Sequence, residues 1–147
     1  MDADMSHHPS VIPQMIEKQK LTGADIVKGN RYIQGGGVYG WNLFRKLASR
    51  GMGMLAEIAM GSSFTDLTGS FRLYRRDLLE SLVTSTVTRG YTFQLEMMCR
   101  AQARRLKIAE VPIEFVDRQF GESKMGAGEM AGFLRGLWAL LNTDLAS

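Results

Sequence analysis

The sequence predicts an α/β layered domain with a largely parallel sheet, on three observations. Strand-like stretches alternate with stretches of helical spacing along the chain. The 147 residues are 45% hydrophobic and 22% charged, which is material for one domain with its own core. No stretch approaches the roughly 20 apolar residues of a membrane-spanning helix. The richest tail segment, Phe133 to Leu141, is short and carries Arg135 and Gly136.

Taken in order, residues 10–20 read as a helix, with Ser10 as cap, Pro13 in the first turn and Thr22-Gly23 ending it. Ala24 to Lys28 reads as a strand. "GGGVYG", Gly35 to Gly40, reads as a mobile loop, because consecutive glycines leave the backbone almost unrestrained. Asn42 to Met60 reads as one or two amphipathic helices broken near Gly51 and Gly53. Phe71 to Tyr74 reads as a strand and Asp77 to Val83 as a helix. Thr92 to Arg105 reads as a helix capped by Thr92, with Glu96 well placed in its early turns. Ile108 to Phe115 alternates as one strand, "GESKMGAGE" is a loop, and Glu129 to Leu141 is a last helix. Asp2 belongs at a strand end with only Met1 before it, so the reading expects an N-terminal half to be missing.

Composition bounds the function. The net charge of +3 suits an anionic substrate or a membrane surface without demanding nucleic acid. A single cysteine, Cys99, forbids an intrachain disulfide and fits a reducing compartment. The N-terminus lacks the basic start and apolar run of a signal peptide. The 10 methionines point to adaptable core packing or to a lipid-binding face.

Several residue groups could carry chemistry. Asp2 and Asp4 point the same way on an extended chain. They either hold a hard cation such as Mg²⁺ or Mn²⁺, helped by a diphosphate, or form a solvated acidic terminus. His7 and His8 point apart and lack a partner motif for zinc, so a turn before Pro9 is the better reading. Arg31, Arg118 and Lys124 on loops, and Arg45 with Ser49 four residues on, offer forks and donors for phosphate oxygens. "TDLTGSFRLYRR" crowds Asp66, Thr68 and Ser70 before an apolar strand, either as a site or as an Asx-type turn.

Five stretches, "MDADMSHHP", "GNRYIQGGGVYGWNLFRKLASRG", "SSFTDLTGSFRLYRRDLLE", "GYTFQLEMMCRA" and "EVPIEFVDRQFGESKMG", occur in this order. Together they resemble the dolichyl-phosphate mannose synthase family, in the eukaryotic catalytic subunit. These are family 2 glycosyltransferases of the GT-A fold, a Rossmann-like mixed sheet flanked by helices. The resemblance runs from Met1 to about Asn142. It implies that residues 1–147 are the C-terminal part of one GT-A domain, incomplete at the N-terminus and closed by an amphipathic helix over 127–142.

The implied activity transfers mannose from GDP-mannose to dolichyl phosphate with inversion, for N-glycosylation, GPI-anchor synthesis and O-mannosylation. The implied setting is the cytosolic face of the endoplasmic reticulum, bound peripherally, with small membrane subunits as partners. Asp2, Ala3 and Asp4 match the family's DxD, contacting the nucleotide sugar. Asp4 is then the chief metal ligand and a catalytic residue, assisted by Asp2, with Ser6 where relatives carry glutamine. Arg31, Arg118 and Lys124 match positions holding the donor diphosphate, and Arg45 and Ser49 the lipid phosphate. Asp66 falls in the signature stretch near the acceptor and counts as catalytic. The attacking phosphate oxygen is already anionic, so no strong general base is needed.

The absent guanine- and ribose-holding region leads to the expectation that this chain alone transfers no mannose. Rival readings are a polyprenyl-phosphate glucosyltransferase and a non-catalytic fragment that binds membrane or partner subunits. A processive synthase is disfavoured because no Q-x-x-R-W occurs, and nucleic-acid binding because no reading motif does.

Overall fold

The computed structural model describes residues 6–117 and 127–145. Asp2, Ala3, Asp4, Arg118 and Lys124 therefore lie outside the described residues. The chain opens with a 3-10 turn over Pro9–Val11 that runs into helix α1, Ile12–Thr22. Ser10 does not cap α1; its N–H instead donates to His8 Nδ1 at 3.2 Å, and the cap residue is Val11. Gly23 ends the helix in the left-handed conformation, φ 64°, its N–H reaching Gln19 O at 2.8 Å.

Strand β1, Ile26–Asn30, is buried along its whole length. It lies between β3, Arg72–Tyr74, which is antiparallel to it, and β4, Ile108–Pro112, which is parallel. Ile26 sits opposite both Tyr74 and Ile108. Alternation along β1 builds two cores. Val27 packs with Met15 of α1, Phe71, Val111 and Ile113. Ile26 faces the other way, to Leu82 of α3 (Arg76–Ser85) and to Met97 and Ala101 of α4 (Tyr91–Ala103). Helices thus cover both faces of a mixed sheet.

A third core joins helix α2, Leu43–Ala59, to α4 and to α5, Ala127–Leu141, through Ala56, Leu95, Met98, Phe133, Leu137 and Leu140. Where α4 meets α5, a Cβ added at Gly136 would lie 2.2 Å from Thr92 Cγ2. We expect Gly136→Ala to destabilise the chain by about 1–3 kcal/mol, the usual range for overpacking. Thermal melts should show part of that loss recovered when Thr92→Ala is added.

Four elements differ from the sequence expectation. Gly37–Tyr39 is a strand, β2, and not a mobile loop, because it pairs in parallel with β5, Glu114–Val116. The expected strand from Ile108 to Phe115 divides at Ile113, whose N–H still bonds Asn30 O at 3.1 Å while its carbonyl accepts from Gly37 N at 3.1 Å. The chain there leaves the β1 sheet and joins β2. Helix α2 runs unbroken through Gly51 and Gly53, since burial of Gly53 and Ala56 outweighs the roughly 1 kcal/mol penalty of each glycine. Helix α4 is capped by Gly90 at φ 64°, and Thr92 lies inside it, its hydroxyl donating to Arg89 O at 2.9 Å.

Candidate functional site

The site grows from the C-terminal end of β1, where three successive polar side chains grip one distant turn. Lys28, fully buried, donates from Nζ to the carbonyls of Thr65 and Asp66 and pairs with Glu110 at 3.0 Å. Burial lowers its pKa against the opposing charges of Glu110 and Asp66. Asn30 Nδ2 donates to Thr65 Oγ1 at 2.7 Å and to Glu110 Oε1 at 2.9 Å. Arg31 then closes on the Asp66 carboxylate through its backbone N–H and Nε, both at 2.9 Å to Oδ2, and through Nη2 to Oδ1.

Asp66 itself takes the left-handed conformation, φ 56°, which aspartate tolerates better than most residues. Its N–H donates to Glu57 Oε1 of α2 at 3.0 Å. Gly69 lies close by, and a Cβ there would meet Asp66 Oδ1 at 3.3 Å. Burial pushes the Asp66 carboxyl up, but the bonds and charge of Arg31, aided by Lys28, outweigh this and hold it below the ordinary carboxylate range. Asp66, expected near the acceptor, is thus engaged with Arg31, and Arg31 is the member that reaches a cavity wall.

That cavity, about 310 Å³, is lined by Arg31, Tyr32, Val38, Trp41, Lys46, Leu47 and Arg50. Tyr32 meets two guanidinium groups, its ring centre 5.3 Å from Arg31 Cζ and 4.7 Å from Arg50 Cζ. Trp41 carries Arg45 on its ring at 4.2 Å. Arg45 Nη1 also bonds both oxygens of Asp117, at 3.0 and 2.9 Å. Asn42 caps this end of α2, its Oδ1 accepting from Arg45 N at 2.8 Å. Ser49 is half-buried one turn further along. Ser6 is buried, and its carbonyl accepts from Val116 N at 3.2 Å. Strand β5 therefore ties the segment after the acidic couplet to the same edge as Asp117 and Arg45.

The structure thus joins Arg31 to Asp66 and brings Arg45, through Trp41, beside the cavity that Arg31 lines, whereas Ser49 is not part of that lining. Sequence reasoning missed Tyr32, Trp41, Lys46, Arg50 and the linking Glu57. The one available signal was the four-residue spacing of Lys46 and Arg50, which runs beside that of Arg45 and Ser49. Among the described residues no group of three His, Cys, Asp or Glu side chains forms a metal site.

A second buried carboxylate stabilises the frame. Glu96 of α4 pairs with Arg100 at 2.9 Å and accepts the Thr88 N–H at 2.8 Å. Burial pushes it up, but Thr88, Arg100 and Val87 together hold it low. Asp66 and Glu96 are both depressed below their unfolded values, so the unfolded state binds more protons in acid. Their stabilisation is complete above the ordinary carboxylate range of about 4 and is lost as pH falls through their folded values. Urea midpoints measured from pH 7 downward should stay flat to about pH 5 and then fall steeply. Asp66→Asn combined with Glu96→Gln should flatten that fall. The lone thiol, Cys99, is buried and pushed up to about 12, and so is inert as a nucleophile.

The chain belongs to glycosyl transferase family 2, whose sequence profile its residues 1–83 match. The mixed α/β architecture is that of a domain of this family. Among curated proteins the chain is similar to the undecaprenyl-phosphate mannosyltransferase of Micrococcus luteus, 39% identical over 129 residues, covering 87% of this chain and 52% of that protein. It is also similar to the polyprenol monophosphomannose synthase of Mycolicibacterium smegmatis, 35% identical over 131 residues, covering 88% of this chain and 49% of that protein. The chain spans about half the length of the curated relatives it matches. Among the described residues no helix is long and apolar enough to cross a membrane.

Proposed function

We propose that this chain is the part of a glycosyltransferase that holds the acceptor and the donor's diphosphate, in an enzyme that moves mannose from GDP-mannose to dolichyl phosphate with inversion. Mannosyl transfer to a polyprenyl phosphate is supported by the names of the two relatives. The observation that carries the acceptor role is the cavity where Arg31, Lys46 and Arg50 converge beside apolar and aromatic walls. Cations alone would suit any phosphate. Cations beside Val38, Leu47 and Trp41 suit a phosphate bearing an isoprenoid.

In this reading Arg31, which the resemblance put at the donor diphosphate, instead grips the acceptor phosphate from the cavity wall that it lines, and Asp66 is the positioning residue that fixes its guanidinium. Arg45 and Ser49 offer the lipid phosphate a donor face along α2, with Asp117 holding Arg45 in place. Arg118 and Lys124 hold the donor diphosphate. Asp2, Asp4 and Ser6 would hold a Mg²⁺ or Mn²⁺; two carboxylates and a hydroxyl are a hard-oxygen donor set that fits such an ion. Bound there, the ion would offset charge building on the leaving GDP. The acceptor phosphate attacks as its own anion, so the chain's task is to align it and screen its charge. The setting that fits this reading is the cytosolic face of the endoplasmic reticulum, with small membrane subunits as partners.

The test is a transfer assay with GDP-[³H]mannose and dolichyl phosphate. It is run on the isolated chain and on the chain fused to the part of the Micrococcus luteus relative that it does not span. Labelled lipid from the fusion, lost in Asp4→Ala, supports the reading. Equal use of UDP-glucose, or no transfer to any polyprenyl phosphate, contradicts it. A non-catalytic fragment would keep its membrane binding and show no dependence on Asp4.

A further inference from the structure

The sequence expectation placed the lipid phosphate against Arg45 and Ser49, but the residues of α2 that line the cavity are Lys46, Leu47 and Arg50, one position round the helix. We propose that Lys46 and Arg50 are two further ligands of the acceptor's phosphate monoester, completing with Arg31 a three-cation cradle whose apolar wall takes the first isoprene unit. This rests on the transferase reading above and adds to it the residues that grip the acceptor.

The first support is the mounting of the arginines. Arg50 Nη1 donates to Glu57 Oε1 at 2.9 Å, and the same oxygen accepts the Asp66 N–H at 3.0 Å. Asp66 in turn holds Arg31. One carboxylate and one turn therefore set both guanidinium groups, each within cation–π reach of Tyr32. Glu57 engages a single terminal nitrogen of Arg50, leaving most of that five-donor fork for a ligand.

The second support is what the cavity leaves unmatched. Lys46 is exposed and, among the described residues, has no carboxylate within ion-pair reach. An unpaired cation on a cavity wall beside the Arg31 and Arg50 guanidinium groups suits an anion. A phosphate monoester carries a charge of about −1.5 to −2 near pH 7 and offers three strong acceptor oxygens.

The third support concerns the rest of the ligand. Leu47 lines the cavity yet is 64% exposed, and on α2 it adjoins Leu43 at 72% and Phe44 at 79%. A single apolar chain leaving the phosphate has a continuous path along these side chains. Inorganic phosphate would use none of that wall.

The experiment titrates the full chain with farnesyl phosphate and follows Trp41 emission, with Trp138→Phe introduced so that Trp41 is the sole reporter of the two tryptophans. Saturable binding is expected, weakened about tenfold by Lys46→Gln and by Arg50→Gln, the usual loss for one charge-assisted contact. Lys46→Arg should bind nearly as the unaltered chain does. Farnesol and inorganic phosphate, each offering half of the ligand, should bind at least tenfold more weakly. Phosphatidylglycerol vesicles should not displace the probe. Circular dichroism checks folding, and Lys46, being exposed, can be changed without disturbing the core. The proposal is overturned if both glutamine variants bind unchanged, if farnesol binds as well as its phosphate, if the vesicles compete equally, or if no saturable binding occurs. Mannosyl transfer that persists in both variants at an unchanged KM for dolichyl phosphate would sink this assignment while leaving the transferase reading intact.

Discussion

Asp66→Asn is expected to lower the free energy of unfolding by about 3–5 kcal/mol, the range for removing one partner of a buried ion pair. The substitution isolates a charge term. Asparagine tolerates the left-handed backbone that Asp66 adopts and keeps its volume, so neither strain nor a cavity is added. What it removes is the anion facing Arg31, a guanidinium that is only 9% exposed. Arg31 then loses the carboxylate that its Nε and Nη2 bond. Urea unfolding of the single variant measures the loss. The double change Arg31→Met with Asp66→Asn should recover part of it, because no guanidinium then misses that carboxylate. A single-variant loss under about 1 kcal/mol would mean that the pair is solvated, as exposed pairs are. Ligand binding should fall as well, since Arg31 would no longer be fixed at the cavity wall.

Gly36→Ala should have the next largest effect, and on the site more than on the core. A Cβ at Gly36 would lie 2.6 Å from Asn30 O and 3.0 Å from the Arg31 carbonyl carbon and oxygen. These neighbours are main-chain atoms of the strand end that presents Arg31, so no rotamer change relieves the contact. The loop must shift, although Gly36 N is tied to Ile33 O at 2.9 Å and Gly37 begins β2. We expect about 1–3 kcal/mol of destabilisation, as for other overpacked sites, together with at least a tenfold loss of farnesyl phosphate binding. Gly51→Ala is the control: it meets nothing within 4 Å, and alanine favours the helix by up to about 1 kcal/mol. Binding that survives Gly36→Ala unchanged would show that Arg31 is not positioned by this loop.

Local signals located most elements. Helical spacing placed α1, α3 and α5 to within a few residues, and the stretch expected from Asn42 to Met60 meets α2 at both ends. The readings that failed depend on pairing with distant chain. A glycine run has no local reason to be a strand, and β2 exists because β5 lies beside it. The division of the Ile108 strand at Ile113 follows from which sheet each half meets, which alternation alone does not encode.

The site divided the same way. Arg31, Arg45 and Ser49 were singled out by spacing and resemblance, and the structure puts Arg31 on the cavity wall and Arg45 over Trp41 of that wall. The partnership of Arg31 with Asp66, 35 residues apart, could not be read from spacing. Nor could the fact that Lys46 and Arg50 of α2 line the cavity, since it depends on how the packed helix is rotated about its axis. Glu57 was invisible because an isolated glutamate on a helix carries no signal until its two partners are known.

The most direct measurement is a crystal structure of the chain with farnesyl phosphate bound. The phosphate is predicted within hydrogen-bond distance of the Arg31 guanidinium, with Lys46 and Arg50 on its other side and the first isoprene unit against Leu47. A phosphate bound elsewhere, with the space between Arg31 and α2 empty, would contradict the account.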